Sequence, residues 1–239
     1  RFFSVASVEV WKSQFNQPLA AFRMSAIFKT RIESQNSGSI ATWLRQGERK
    51  AAEIDCQPFD KDRFREKLDE LRALTNEPDP KAFLPKLAAI CAEVGVAVVL
   101  EPAPKGCPIS GATRWLKPNK ALLMLSARHK TNDHLWFTFF HEAGHLLLHA
   151  RKLSFLEIEG KLTDEFEEQA DIFARDLLIP PQQALQLAIL PRTQVAVEAF
   201  ARKIGVAKGI IVGRMQKEKL LPWTHLNKLK LYYRWSHEI

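Results

Sequence analysis

Residues 137–149 read FTFFHEAGHLLLH, with histidines at 141, 145 and 149 and a glutamate at 142. Four residues of α-helix turn about 400°, so His141 and His145 project from one face, about 6 Å apart along the axis. Two imidazoles at that spacing can bind one Zn²⁺ through nitrogens at about 2.0–2.1 Å. Glu142 points about 100° away, beside a metal rather than at it. A carboxylate there can take a proton from water and hand it to a departing amine. The pattern is that of metal-assisted peptide hydrolysis. It still needs a third protein ligand and an open position.

His149 lies eight residues beyond His141, about 80° around the helix and about 12 Å along it. The longer motif HExxHxxGxxH would need a glycine that HEAGHLLLHAR lacks. His149 is therefore expected to support the ligands rather than join them. The third ligand is sought in TDEFEEQADIFARDLLI, where Asp164, Glu165, Glu167, Glu168 and Asp171 crowd the first turns. A helix dipole alone favours acids there. Glu167 and Asp171, however, are four apart and border the stripe Phe166, Ala170, Phe173, Ala174, Leu177 and Leu178. One can ligate while the other accepts a ligand histidine's N–H, and Glu167 is preferred to Glu168 as ligand.

These residues need elements to position them. Asn132 or Asp133 is a candidate N-cap for an active helix over about 132–150, and Pro180-Pro181 ends the acidic helix. Gly144 carries no side chain, which allows another backbone to approach. Upstream, VAVVLEP reads as a strand after a helix over 82–95, and ISGATRWL and ALLMLSA read as two more. Residues 1–75 show helical periodicity, and TNEPDP at 75–80 is a boundary. The fold class expected is α+β: mainly helical, with a small mixed sheet against the HExxH helix and helical subdomains on either side. The divisions expected are 1–75, 76–190 and 191–239.

The chain has 239 residues, 46% of them hydrophobic, enough for a real core. Its net charge of +8 favours nucleic acid, an acidic partner or an anionic surface. The densest basic stretch, LNKLKLYYRW at 226–235, reads as a solvated helix with aromatic anchors. Cys56, Cys91 and Cys107 form no CxxC pair, which points to a reducing, cytoplasmic setting without a disulfide framework. No apolar run approaches the roughly 20 residues that span a bilayer, and no signal peptide is visible. A first residue of Arg suggests that an upstream segment was lost.

ISG at 109–111, ALLMLSAR at 121–128, WFTFFHEAGHLLLH and EEQADIFARDLLIP together resemble the ImmA/IrrE family of metallopeptidases, in order and spacing over about 105–181. The resemblance implies zinc ligands at His141 and His145, a catalytic Glu142, a third ligand at Glu167 and an Asn/Asp position at Asp171. It implies a zincin-like active helix and a protein substrate, a repressor or antitoxin cut to control gene expression. It makes ALLMLSA, with Leu122, Leu123, Met124 and Leu125, the edge strand on which an extended substrate would lie. Longer family members carry an N-terminal XRE-type helix-turn-helix, a route to DNA that fits a lost upstream segment. FARKIGVAKGIIVGRMQKE at 200–218 also looks like two helices around a tight turn. DNA binding, substrate recognition and simple packing all suit it, and its apolar residues favour packing.

The leading expectation is a cytoplasmic zinc endopeptidase, with Mn²⁺ or Fe²⁺ also compatible with a His₂Glu set. The alternative is a transcription regulator or antitoxin that uses the domain for sensing or partner binding without cutting. The oxyanion stabiliser is left open among His129, His134, His149, Tyr232, Tyr233 and the metal itself.

Overall fold

The computed structural model describes residues 37–149 and 161–234. The helices expected within 1–36 lie outside that range, as does the end of the basic stretch beyond 234. Helix α1 (Ser37–Ala52) is followed by two short helices, α2 (Lys61–Glu66) and α3 (Leu68–Ala73). Asp60 caps α2 by accepting hydrogen bonds from the amides of Asp62 and Arg63. Helix α4 (Pro80–Ala92) begins with Pro80 in its first turn, where a missing N–H costs nothing, and Asp79 caps it. Gly95, with φ +84°, then turns the chain into strand β1 (Val96–Leu100).

Strands β2 (Gly111–Lys117) and β3 (Lys120–Leu125) complete a mixed three-stranded sheet in the order β1-β3-β2. β3 runs parallel to β1, with Val96 opposite Ala121, and antiparallel to β2, with Gly111 opposite Leu125. The expected edge strand is therefore the central one. Leu122, Leu123, Met124 and Leu125 sit at 0–1% exposure, and both backbone edges of their strand are occupied. The sheet is covered on both faces, which is why β3 is apolar at successive positions instead of alternating. Leu122 and Met124 face Ile40, Trp43 and Leu44 of α1. Ala121, Leu123 and Leu125 face the larger core on the other side.

That larger core is organised by helix α5 (Asn132–Leu148), which buries Leu135, Trp136, Phe139, Phe140, Ala143 and Leu147. Helix α6 (Lys161–Leu178) packs along α5, where the absence of a side chain at Gly144 matters. A β-carbon there would stand 3.3 Å from Ala170 Cα and 3.0 Å from Phe173 Cδ1. A short helix α7 (Pro181–Ala184) leads to α8 (Gln194–Ile204) and α9 (Lys208–Lys217), joined through Gly205 at φ +73°. One continuous core takes residues from Phe64 to Leu229, across positions 75 and 190. The described fold is thus the α+β arrangement expected, mainly helical with a small mixed sheet.

Two local expectations are corrected. The N-cap of α5 is Thr131, and it makes no side-chain capping bond. Asn132 and Asp133 reach instead to the C-terminal segment. Asn132 Oδ1 accepts from the Leu231 amide at 3.0 Å, and Lys230 Nζ lies 2.6 Å from Asp133 Oδ2. The basic stretch, for its part, is no solvated helix. Asn227–Leu229 forms one 3-10 turn, Leu229 and Lys230 are buried, and Tyr232 bridges to Thr131. Pairing with the start of α5 outweighs the helical periodicity of so short a segment.

Candidate metal centre

His141 and His145 occupy one face of α5, one turn apart, and α6 lays Glu167 across from them. His141 Nε2 is 3.1 Å from His145 Nε2. Glu167 Oε2 is 3.3 Å from His141 Nε2, and Glu167 Oε1 is 3.3 Å from His145 Nε2. All three donors thus converge within 4.8 Å of one another. Donors on a tetrahedron with bonds of about 2.0–2.1 Å stand about 3.3–3.4 Å apart, so the set fits a zinc-sized ion closely. Two neutral imidazoles and one carboxylate also suit such an ion chemically.

The electrostatics point the same way. Burial opposes a charge on His141, yet its hydrogen bonds to Asp171 and Glu167 and the nearby Glu142 push its pKa up to about 10. Burial also opposes the Glu167 carboxylate, but hydrogen bonds from His141 and His145 bring its pKa down to about 2. The pocket thus favours positive charge between its donors, which a divalent ion supplies.

Around the three donors, His141 Nδ1–H donates to Asp171 Oδ1 at 2.8 Å. His149 does not face the cluster. It is the C-cap of α5 in extended backbone, and its Nδ1 lies 3.0 Å from His145 Nδ1. Glu142 is 4% exposed and lies against β2, close enough to His141 to favour a charge on its ring. A β-carbon on Gly111 would stand 2.7 Å from Glu142 Oε1. Leu122, Leu123, Met124 and Leu125 are not brought to the site.

A cleft of about 450 Å³ opens beside Glu142 and His141. Gly111, His134, Phe137 and Thr138 form one wall, and Leu178, Ile210, Arg214, Lys217 and Trp223 form the other. Of the five side chains considered for the oxyanion, only His134 lines it. His129 stacks on His134 at 4.2 Å between ring centroids, and Tyr233 packs against Phe83 at 5.8 Å. Tyr232 is exposed at the bridge to Thr131, and His149 is spent on His145.

Of the tight-turn pair α8–α9, helix α9 supplies Ile210, Arg214 and Lys217 to this wall. Gly209 and Gly213 let α9 press on the start of α5. β-Carbons there would stand 2.4 Å from Asn132 Oδ1 and 2.4 Å from Asp133 Oδ2. Ile210, Ile211, Val212 and Met215 are buried. This face of α9 is packed against the start of α5.

Of the cleft's lining, sequence reasoning missed Gly111, Lys217 and Trp223. Only Gly111 carried a signal, as the glycine of the ISG triplet.

A helix-borne His-Glu-x-x-His, closed by a carboxylate from the next helix over an open cleft, defines the class. The model of the Peptidase M78 family, described as an IrrE N-terminal-like domain, matches residues 91–216. That is more than half of the chain, and the chain belongs to this family. Membership supports a protease-type function with a protein substrate, and metal dependence is typical of the family. No curated protein and no solved structure matches the chain. Among the described residues, no helix is long and apolar enough to cross a membrane.

Proposed function

We propose that the protein is a zinc-dependent endopeptidase that cuts a regulator protein, a repressor or antitoxin, in an extended segment. The observation that carries this reading is the convergence of His141, His145 and Glu167 at tetrahedral spacing beside a buried Glu142 that borders an open cleft. His141, His145 and Glu167 would hold the ion. Bound zinc would supply a Lewis acid for a carbonyl oxygen and lower the pKa of a nearby water.

The chain's own residues do the rest. Glu142 takes the proton from the attacking water and delivers it to the departing amine. Asp171 holds the His141 ring by accepting its Nδ1–H. Strand β2 has no second neighbour strand among the described residues. Its outer edge borders the cleft at Ser110 and Gly111, so an extended peptide can add there and present a carbonyl to Glu142. The substrate edge proposed is thus β2 and not β3. The apolar side chains of Phe137, Leu178, Ile210 and Trp223 would receive substrate side chains.

Glu142→Gln tests the mechanism. It should retain one zinc per chain and lose cleavage of the regulator by a factor of about 10² to 10⁴. Cleavage surviving that change would overturn the role given to Glu142, and a wild-type protein without stoichiometric metal would overturn the metal site.

A further inference from the structure

His145 can offer Nε2 to an ion only when its own proton sits on Nδ1. What places it there is visible behind the ring. His145 Nδ1 lies 3.0 Å from His149 Nδ1, and His149 Nε2 lies 3.2 Å from Gln169 Oε1. A contact between two imidazole nitrogens has no built-in direction, because either ring can donate to the other. With the Gln169 side chain turned so that Oε1 faces His149, that freedom is removed, since the oxygen only accepts. His149 must then carry its proton on Nε2 and turn a lone pair on Nδ1 toward His145. His145 donates Nδ1–H to that lone pair, and its Nε2 is left bare toward His141 and Glu167. Were a donor to face His149 instead, every bond in the chain would reverse. His145 would then hold its proton on the side that must bind the ion.

We infer that Gln169, acting through His149, sets the tautomer of His145 and thereby the metal affinity of the site. The inference rests on the metal reading above. Gln169 touches neither the donors' centre nor the cleft, so it is a positioning residue. The fold supports the relay in two ways. His149 has left the helix, with φ −105° and ψ 137°, which swings its ring back onto His145 instead of around the helix. Phe166 packs on that ring at 4.5 Å between centroids. Phe166, Glu167 and Gln169 all belong to α6, so one helix supplies both the third ligand and the group that polarises the relay. Metal-binding histidines commonly donate to a carboxylate, a carbonyl or water. Here a second histidine is interposed, and the choice of direction moves out to an exposed side chain.

The test is zinc affinity, measured by competition with a chromophoric chelator, for wild type, Gln169→Glu, Gln169→Lys and Glu168→Lys. Gln169 and Glu168 are both exposed, so the substitutions spare the core. Gln169→Glu keeps an acceptor and should hold zinc as well as wild type does. Gln169→Lys forces a donor on the relay and should weaken zinc about 10- to 100-fold. Glu168→Lys controls for charge. It changes the local charge by more than Gln169→Lys does, without touching His149, and should leave affinity within about threefold of wild type. In the zinc-loaded wild type, ¹⁵N shifts should place the His149 proton on Nε2 and leave its Nδ1 an acceptor. Equal affinity for the Glu and Lys variants of Gln169, an equal loss in Glu168→Lys, or a His149 proton found on Nδ1 would overturn the relay. A wild type that binds no zinc would instead overturn the metal reading on which the relay stands.

Discussion

Gly111, the first residue of the edge strand, lies against the carboxylate of Glu142. A β-carbon at 111 would stand 2.7 Å from Glu142 Oε1, 2.8 Å from its Cγ and 2.6 Å from Thr138 Cγ2. The strand that would receive substrate and the group that would move the proton are thus held in register by a missing side chain. Gly111→Ala should push Glu142 aside without touching His141, His145 or Glu167. A displacement of about 1 Å costs on the order of 10² in rate. The expected outcome is full zinc content with regulator cleavage reduced about 100-fold, checked by elemental analysis and a timed cleavage assay on the same preparation. Undiminished cleavage would mean that Glu142 tolerates the shift or is not the proton carrier.

Asp171 gives a second, independent reading of the centre. Its Oδ1 accepts from His141 Nδ1 at 2.8 Å, while its side chain is more than half exposed. Asp171→Ala removes the acceptor with little loss of packing. Zinc affinity should fall about 10- to 100-fold. Asp171→Asn keeps an acceptor oxygen and should lose less. Chelator competition separates the two variants, and equal losses would show that charge, not the hydrogen bond, is what Asp171 contributes.

The legible and illegible parts of the site divide along a physical line. His141, Glu142 and His145 could be read from the chain because helical geometry converts a spacing of four into a shared face. Glu167 and Asp171 could be read the same way, since they border an apolar stripe that had to pack somewhere. Strand order could not. The run ALLML reports that both faces of β3 are covered, by α1 and by the core around α5, and says nothing about which strands flank it. Apolar continuity fits a central strand at least as well as an edge. Gln169 was hidden for another reason. It is an exposed polar residue, and its meaning depends on the angle at which α6 crosses α5. Lys230 looked like one of several surface charges until Tyr232 bridged to Thr131 and drew the segment inward.

That inward turn creates a buried ion pair worth testing. Lys230 and Asp133 side chains are 6% and 7% exposed, with 2.6 Å between Nζ and Oδ2. Lys230→Met would strand the Asp133 charge beneath α9 and should destabilise the fold by about 3–5 kcal/mol. Asp133→Asn together with Lys230→Met leaves no buried charge and should recover most of that loss. Urea titrations of the two single variants and the double variant close the cycle. Additive losses would mean that the pair is not coupled.

The acid limb of stability should carry the signature of the stacked pair His129 and His134. Burial lowers both pKa values. Arg128 adds to the effect at His129, where Asp133 opposes it. At His134, His129, Lys230 and Lys217 add to it and Asp133 again opposes it. In the unfolded chain both rings titrate near about 6.5. Above that pH they are neutral in both states, and nothing is lost. As pH falls through about 6.5 toward the depressed folded values, the unfolded chain takes up protons that the folded protein refuses, so stability drops. His129→Gln with His134→Gln removes these two groups and leaves His141 and Glu167 in place. The difference between the wild-type and double-variant pH profiles therefore isolates the pair. Urea midpoints measured from pH 7.5 to 5.5 should fall more steeply for wild type than for the double variant. Parallel profiles would show that protonation of these rings does not contribute to the acid limb.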